Sequence, residues 1–326
     1  MPPKSDENPM DSKFEFWNKL SNEMQLECIK RMDFKTRMQL RATSKQEKSL
    51  IKSAKKYQFN SVIVNLFASY MPSVICKKSG RSEVKIECES PTPEFLQKAW
   101  QLVGQILKFS NAKTIDFASK FATDADVSKF IADISNSTPF HFKSVTLNCG
   151  KFEIVNFFLK NCNSLESIYL EGSEHMFGDA KMTELINLPS VINAKIVRMV
   201  NLTSPHVPYQ FITKWINKKS LELGKTLQIR TLYTKIVGFL AATCEKHVVS
   251  ETSQTLRLHT NDPSKHILIR EIPTAAFAQE AYFSFLVIPS EQTESEYEKN
   301  DQWAHDFHAK DLAKFMGQFQ HVLNDD

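Results

Sequence analysis

The feature that most constrains the fold is an alternation of short apolar segments with amphipathic segments through the middle of the chain. The apolar segments have strand patterns at 113–117, 143–147, 167–170, 195–199 and 227–232. Their first residues lie 24 to 32 positions apart, and the sequence between them has helical periodicity. Because parallel strands are joined by crossover connections, usually helices, this alternation predicts successive β-α units.

Recurrent β-α spacing predicts an α+β fold in which each unit covers the apolar surface of its neighbour. The arrangement resembles a leucine-rich-repeat-like arc, whose strands line one concave surface. Doubly wound α/β packing is the competing architecture. Trp215 is expected in the core of this domain, because large aromatic side chains are usually buried.

Further elements are predicted on both sides of the β-α region. Residues 73–75 and 83–88 flank Lys78-Ser79-Gly80-Arg81 and predict a hairpin, and a helical pattern follows Pro93. Strand patterns that are separated by prolines predict an antiparallel end sheet at 254–259, 265–272 and 282–288. After a charged break at 291–300, the pattern predicts a terminal amphipathic helix with Trp303, Phe307, Leu312, Phe315, Phe319 and Leu323 on one side.

Three short helices are predicted before this domain, each with its own starting signal. Asn22 with Gln25 fits a capping box, Asp33 can cap the second helix, and Ser44 with Glu47 fits a second capping box. The third helix would carry on one side Leu50, Ile51, Ala54 and Tyr57. A unit of about forty residues rarely supplies an adequate core, so it either docks on a partner or caps the following domain.

Residues 16–57 resemble the F-box family. The positions that match in order and spacing are Leu20, Glu23, Ile29, Met32-Asp33 and Thr43-Ser44-Lys45. Ser21 stands where the family has Pro, and residues 46–48 lack the family's Trp. The segment 32–45 resembles a subfamily that joins the F-box to an FTH or F-box-associated domain. Residues 211–217, followed by 227–229, resemble that second domain, over a span from Phe142 to Ile269.

The resemblance implies a substrate-recognition adaptor of a Skp-cullin-F-box ubiquitin ligase. It would dock a Skp-family adaptor, and through it a cullin, with the apolar and capping residues Leu20, Glu23, Met24, Ile29, Met32, Phe34, Met38, Leu40, Ser44 and Lys45. An unknown protein substrate would bind the β-α domain, and neither a catalytic residue nor a cofactor is expected. The expected layout is a polar leader at 1–14, the F-box at 15–58 and a connecting hairpin and helix at 59–110. The β-α domain follows at 111–290, and an acidic break with a terminal helix at 291–326.

Composition argues against the commonest enzyme classes. The chain has only eight glycines, and the glycine-rich signatures of dinucleotide enzymes, P-loop enzymes and serine hydrolases are missing. Its longest uncharged apolar run, 236–244, falls short of the roughly 20 residues that cross a bilayer. Residues 1–13 contain no apolar stretch of the kind found in secretory signals, so a cytoplasmic or nuclear location is expected.

Charge segregation leaves an alternative open. Residues 30–56 hold ten Lys or Arg against two acids, whereas 291–326 hold nine acids against three lysines. The basic segment could bind nucleic acid by neutralising phosphates, although few aromatic residues accompany it. An acidic Skp-family adaptor would be attracted by the same charge. A third possibility is a protein-interaction scaffold whose F-box no longer binds Skp.

Two groups of potentially reactive side chains also have simpler explanations. His305 and His308 are spaced to share one helix face with Asp301 and Asp311 nearby, but no further ligands complete a metal site, so solvated side chains are favoured. The six cysteines contain no C-x-x-C pair. Cys149 or Cys162 could be paired with His141 or His175 as nucleophile and base, but buried structural cysteines are favoured.

Overall fold

The computed structural model describes residues 16–66, 72–89, 92–119, 123–135, 139–171, 178–202, 205–232, 235–272 and 281–300. Its helices are α1 Asn22–Arg31, α2 Phe34–Thr43, α3 Lys45–Ser53, α4 Pro93–Phe109, α5 Asp124–Ser135, α6 Phe152–Asn161, α7 Asp179–Ile186, α8 Pro189–Asn193, α9 His206–Asn217 and α10 Ile236–Thr243. Short 3-10 helices lie at Trp17–Lys19, Glu245–His247 and Glu294–Asn300.

The strands belong to one sheet. They are β1 Tyr57–Leu66, β2 Ser73–Lys78, β3 Arg81–Glu87, β4 Ser110–Ser119, β5 Ser144–Cys149, β6 Ser167–Glu171, β7 Ile196–Leu202, β8 Thr226–Thr231, β9 Val248–Glu251, β10 Thr255–His259, β11 Lys265–Ile272 and β12 Ala281–Pro289. Within the described residues the sheet has twelve strands in the order β3-β2-β1-β4-β5-β6-β7-β8-β12-β11-β10-β9. The three helices followed by this mixed sheet confirm the α+β class.

The centre of the sheet is parallel and its two ends are antiparallel. Strands β1, β4, β5, β6, β7 and β8 pair in parallel, in chain order. The hairpin β2-β3 extends one end, and β12, β11, β10 and β9 extend the other. Doubly wound packing requires the order of parallel strands to reverse. These six strands show no reversal.

Alternate residues of each strand point to opposite faces of the sheet. One face, here called the helix face, shares the main hydrophobic core with helices α4 to α10. It carries Val62, Val64, Ile115, Phe117, Val145, Leu147, Ile168, Leu170, Val197, Met199, Leu227, Ile229, Phe283, Phe285, Ile267 and Ile269. The helices also contact one another along the sheet, α4 with α5, α5 with α6, and α7 with both α6 and α9. The opposite face, here called the open face, carries the other alternating residues, among them the polar Thr146, Arg198 and Gln228 and the apolar Leu268 and Ile288.

The predicted strands of the β-α region, the hairpin, the helix after Pro93 and the antiparallel end strands are all confirmed. The hairpin turns through Ser79 and Gly80, which have φ values of 51° and 80°. Two successive positive φ angles are the requirement of a type I′ turn, whose twist matches that of the strands. The hairpin is therefore specified locally, because Gly80 adopts a positive φ without steric cost.

The prediction that Tyr57 lies on the third helix is wrong. Helix α3 ends at Ser53, and Tyr57 opens strand β1, which pairs with β2 on one side and β4 on the other. The pattern Tyr57, Phe59, Val62 and Val64 buries alternate residues with one irregularity, as a strand does. The sheet thus begins at the end of the predicted F-box segment and continues into the segment expected to connect the domains. Strand β9 was also missed. The predicted terminal helix from Trp303 to Leu323 lies outside the described residues.

Candidate docking site in the N-terminal helices

Each of the three N-terminal helices is started by a side chain that accepts a hydrogen bond from the backbone. The hydroxyl of Ser21 accepts from the amide of Met24 at 3.4 Å, and the carboxylate of Asp33 accepts from Thr36 at 2.7 Å. Ser44 caps α3 in the same way. Asn22 was predicted as the first cap, but Asn22 is already helical, whereas Ser21 has the extended conformation of an N-cap. The predicted caps Asp33 and Ser44 are confirmed.

A small apolar core holds the three helices together. It consists of Trp17, Ile29, Leu40, Leu50 and Ile51. The side-chain amide of buried Gln25 donates to the carbonyl of Trp17 at 2.9 Å, which attaches the preceding 3-10 turn to α1. The core joins residues from all three helices and from the turn before them.

Arg37 is the hub of this unit. Its side chain is only 6% exposed. The guanidinium donates to three backbone carbonyls, those of Met32 at 3.3 Å, Lys55 at 3.0 Å and Lys30 at 3.0 Å. It also lies over the ring of Tyr57 at 4.9 Å. Burial lowers the pKa of the Arg37 guanidinium. Sequence reasoning counted Arg37 with the basic surface and missed its structural role.

The N-terminal helices are fastened directly to the sheet. Phe34 packs against the rings of Tyr57 and Phe59 with centroid distances of 6.0 and 5.4 Å. Arg41 lies over the ring of Phe109 at 4.4 Å, which connects α2 to the end of α4. The hydroxyl of Tyr57 donates to Glu83 of the hairpin, and burial together with this carboxylate raises the Tyr57 pKa. These contacts hold the helical unit against the sheet.

The residues predicted to meet an adaptor fall into three groups. Glu23, Met24, Ser44 and Lys45 are exposed, and Leu20, Met32 and Met38 are half-buried. Ile29, Phe34 and Leu40 are buried. These last three side chains lie inside the packed helical unit, and their predicted contact with an adaptor stays a prediction. Their role is to hold the helices in place.

Two large apolar side chains at the start of this unit face solvent. Met24 is 56% exposed and Phe16 is 68% exposed. Sequence reasoning did not select Phe16, which stands just before the first helix. Only three other large hydrophobic residues in the described ranges are exposed: Leu223, Leu232 and Val249. Phe16 and Met24, together with the half-buried Leu20 and Met32, form the apolar part of the candidate docking site.

The same unit presents a basic surface. Its exposed cations are Lys19, Lys30, Arg31, Lys35, Lys45, Lys48, Lys52 and Lys55. Lys30 pairs with Glu27, and Glu23 is also exposed. Of the two acids between residues 30 and 56, Glu47 is buried and Asp33 caps a helix. Burial lowers the Lys56 pKa, and Lys56 is only half-exposed. The exposed charge is therefore strongly positive, which favours an acidic partner.

The open face of the sheet is a second candidate surface. The register aligns Asp116, Thr146, Tyr169, Arg198 and Gln228 in one row across five strands. Arg198 donates through Nε to the Gln228 side chain at 2.8 Å. Burial raises the Tyr169 pKa, as does Glu171, while Arg230 and Arg198 oppose the rise. The row can offer hydrogen bonds and charge to a bound protein segment.

A buried polar network closes the antiparallel end of the sheet. The Nε of Arg257 donates to Nδ1 of His266 at 2.7 Å, so the proton of neutral His266 is on Nε2. This nitrogen lies 3.0 Å from Nδ1 of His259. Burial, the charge of Arg257 and the neighbouring His259 lower the His266 pKa to about 4. The network therefore requires a neutral His266.

The two cysteines that were considered as nucleophiles do not have the environment that this role needs. Cys149 and Cys162 are buried, and burial raises the pKa of both thiols, that of Cys162 to about 12. A reactive cysteine needs a lowered pKa and access to solvent. In the ranges that the structure describes, no group of three His, Cys, Asp or Glu side chains is placed to hold a metal ion. His305 and His308 lie outside these ranges. Trp215 is buried, as predicted.

No helix among the described residues combines the length and apolar character needed to cross a membrane. Comparison of the chain with curated proteins and with solved structures gives no match. Comparison with protein families gives one domain, which coincides with the helical unit described above and its attachment to β1. Residues 17–59 are an F-box domain.

Proposed function

We propose that this chain is the substrate-recognition subunit of a Skp-cullin-F-box ubiquitin ligase. F-box domains bind Skp adaptors in such complexes, and the F-box match at residues 17–59 is the observation that carries the proposal. The chain would act by positioning a substrate and would not catalyse the reaction itself. Holding a substrate close to a charged ubiquitin-conjugating enzyme raises the effective concentration of the reacting groups, and other subunits carry out the transfer.

The proposed Skp contact combines an apolar anchor with charge attraction. Phe16, Leu20, Met24 and Met32 would enter the adaptor, with Glu23, Met38, Ser44 and Lys45 at the margin. The exposed lysines around them would speed the encounter with an acidic adaptor and make it depend on ionic strength. Ile29, Phe34 and Leu40 support this surface from inside the unit.

We propose that the sheet and its helices form a leucine-rich-repeat-like arc, related to the F-box-associated domain, with substrate bound on the open face. The single order of the six parallel strands supports this, because sequential β-α units stack in that way. Direct packing of the F-box on β1 and α4 would then hold the substrate surface at a fixed position relative to the adaptor. A fixed position favours ubiquitin transfer to those substrate lysines that lie at one distance from the adaptor.

Nucleic-acid binding is less well supported than docking of an adaptor. Phe34 and Tyr57, the two aromatic residues in and beside the basic segment, are buried. Neither can therefore stack on a base. The basic surface has charge but lacks the aromatic platforms typical of single-strand binding.

The test is co-purification of the full chain with a Skp adaptor. Met24→Asp places a charge in the proposed apolar contact and should weaken binding at least about tenfold. Leu223→Asp is the matched control, since Leu223 is 50% exposed and lies far along the chain, outside the F-box. Leu20→Asp and Met32→Asp are less informative, because both side chains also pack on the F-box core.

Failure of the unaltered chain to bind any Skp adaptor would reject the ligase proposal. If binding is missing but partner proteins are still captured through the β-α domain, the chain is a scaffold with an inactive F-box. Retention on RNA or DNA that falls as salt rises, and on reversing Lys52 and Lys55, would instead support the nucleic-acid alternative.

A further inference from the structure

After β12 the chain crosses onto the open face of the sheet and is held there. Buried Arg257 donates through Nη1 to the carbonyl of Gln292 and to the hydroxyl of Tyr297, both at 2.8 Å. Tyr297 packs against Leu268 of β11 and Ile288 of β12. Both are open-face positions, since their neighbours Ile267 and Val287 belong to the main core. The chain therefore lies above β11 and β12 as it approaches residue 300.

Between β11 and β6, the open face carries cationic and apolar groups. Arg198, Arg230 and Arg270 are half-buried on β7, β8 and β11. Among the described side chains of β6, β7, β8, β11 and β12, Glu171 is the single acid on this face. Beside the arginines, a separate apolar cluster forms from Val200, Ile272 and Tyr282, with Tyr169 packed against it. The three side chains of this cluster are only 1 to 3% exposed, so they are already shielded from solvent. The surface suits a ligand that is both acidic and aromatic.

Residues 301–326 have this composition. Their apolar positions recur at helical spacing, at Trp303, Phe307, Leu312, Phe315, Phe319 and Leu323. Asp306 and Asp311 interrupt the apolar positions, and Asp325 and Asp326 end the chain. The segment therefore matches the open face in charge and in apolar character.

The length of this segment and the position of its first residue also fit the open face between β11 and β6. As a helix, the 21 residues from Trp303 to Leu323 would be about 31 Å long. The path from β11 to β6 crosses four strand spacings, about 19 Å. A groove of about 690 Å³ between α4 and α5 is the alternative position. It lies in the helix layer on the other side of the sheet, and the three residues after Asn300 span only about 10 Å.

We propose that residues 301–326 dock on the open face of the same chain, across β11, β12, β8, β7 and β6. Trp303 and Phe307 meet the apolar cluster, and Asp306 and Asp311 meet the arginines. The segment therefore occupies the surface that a substrate would use. A substrate must present a similar acidic and aromatic segment and displace the chain's own. The docking itself is independent of the proposed ligase function.

Limited chymotrypsin digestion of the full chain tests this docking, with cleavage after Trp303, Phe307 and Phe315 followed by mass spectrometry. The double variant Asp306→Arg with Asp311→Arg alters no residue of the sheet. It should increase the cleavage rate about fivefold or more, since protection depends on how often the segment detaches. The control, Asp133→Arg with Glu251→Arg, reverses two exposed acids elsewhere and should leave the rate unchanged.

A second set of variants tests whether the charge pairing between the segment and the arginines can be restored with the signs exchanged. Arg198→Glu with Arg230→Glu should also expose the segment, and combining it with the two aspartate reversals should restore slow cleavage. Equal cleavage rates in the unaltered chain and in the aspartate double variant would overturn the proposal. So would fast cleavage of the combined variant when its circular dichroism matches that of the unaltered chain.

Discussion

Replacing Arg37 by alanine should weaken the attachment of the F-box to the sheet more than any change at an exposed cation. The guanidinium donates to the carbonyls of Lys30, Met32 and Lys55, which belong to the end of α1, its C-cap and the approach to β1. One side chain therefore connects three backbone segments. Alanine would leave these carbonyls without their donor and remove the contact with the Tyr57 ring.

The expected loss can be estimated from these contacts. A hydrogen bond to a charged group contributes about 1.5 to 3 kcal/mol. The three bonds share one donor group, so their contributions are not additive, and water will solvate part of what is exposed. We expect Arg37→Ala to lower the free energy of unfolding by about 2 to 4 kcal/mol. Arg37→Lys should recover only part of this, since an ammonium lacks the planar fork that reaches several acceptors.

Urea denaturation followed by circular dichroism measures this loss directly. Lys35→Ala is the matched control, because Lys35 is an exposed cation on the same helix. Its effect should stay within about 0.5 kcal/mol. An Arg37→Ala midpoint that coincides with that of Lys35→Ala would refute the assignment of Arg37 as the hub.

Three further predictions concern local features. Ser21→Ala should lower the free energy of unfolding by about 1 kcal/mol and Asn22→Ala by much less, because Ser21 is the cap; equal losses in thermal denaturation would contradict this. Because the His266 pKa is lowered to about 4, the unfolded chain binds more protons between pH 6.5 and 4. Stability should therefore fall as the pH drops through this window, by at most about 3 kcal/mol, and His266→Gln should flatten the dependence in urea titrations. In the native chain a thiol reagent should modify exposed Cys28 quickly and Cys149 and Cys162 only on unfolding; native labelling of either buried thiol would argue against the packing.

The β-α region could be predicted because its information is local and periodic. Each strand from 113 to 232 has a short apolar run, and each connecting helix has its own stripe. Caps such as Asp33 and Ser44 were also readable, since a cap and its amide lie three residues apart. Strand β1 was missed because Tyr57 also continues the helical spacing of Leu50 and Ala54, and only the pairing with β4 decides between the two.

The proposed docking surface was only partly predictable, because exposure depends on the packing of the three helices. Met24 and Ile29 were both predicted to meet the adaptor, yet Met24 is exposed and Ile29 is buried. Five residues correspond to about 140° of rotation around a helix, so the two side chains point in different directions. Arg37 could not be recognised as buried from its position, since its partners are backbone carbonyls of three separate segments.

Docking of the adaptor can be measured by calorimetric titration of the purified full chain with a purified Skp adaptor bound to its cullin. Docking through the F-box surface predicts saturable binding at one site, with an affinity that falls as ionic strength rises. Met24→Asp should reduce this affinity, and Leu223→Asp should not. A folded chain that gives no binding signal with the adaptor, or one whose binding is the same in both variants, would contradict docking through the F-box surface.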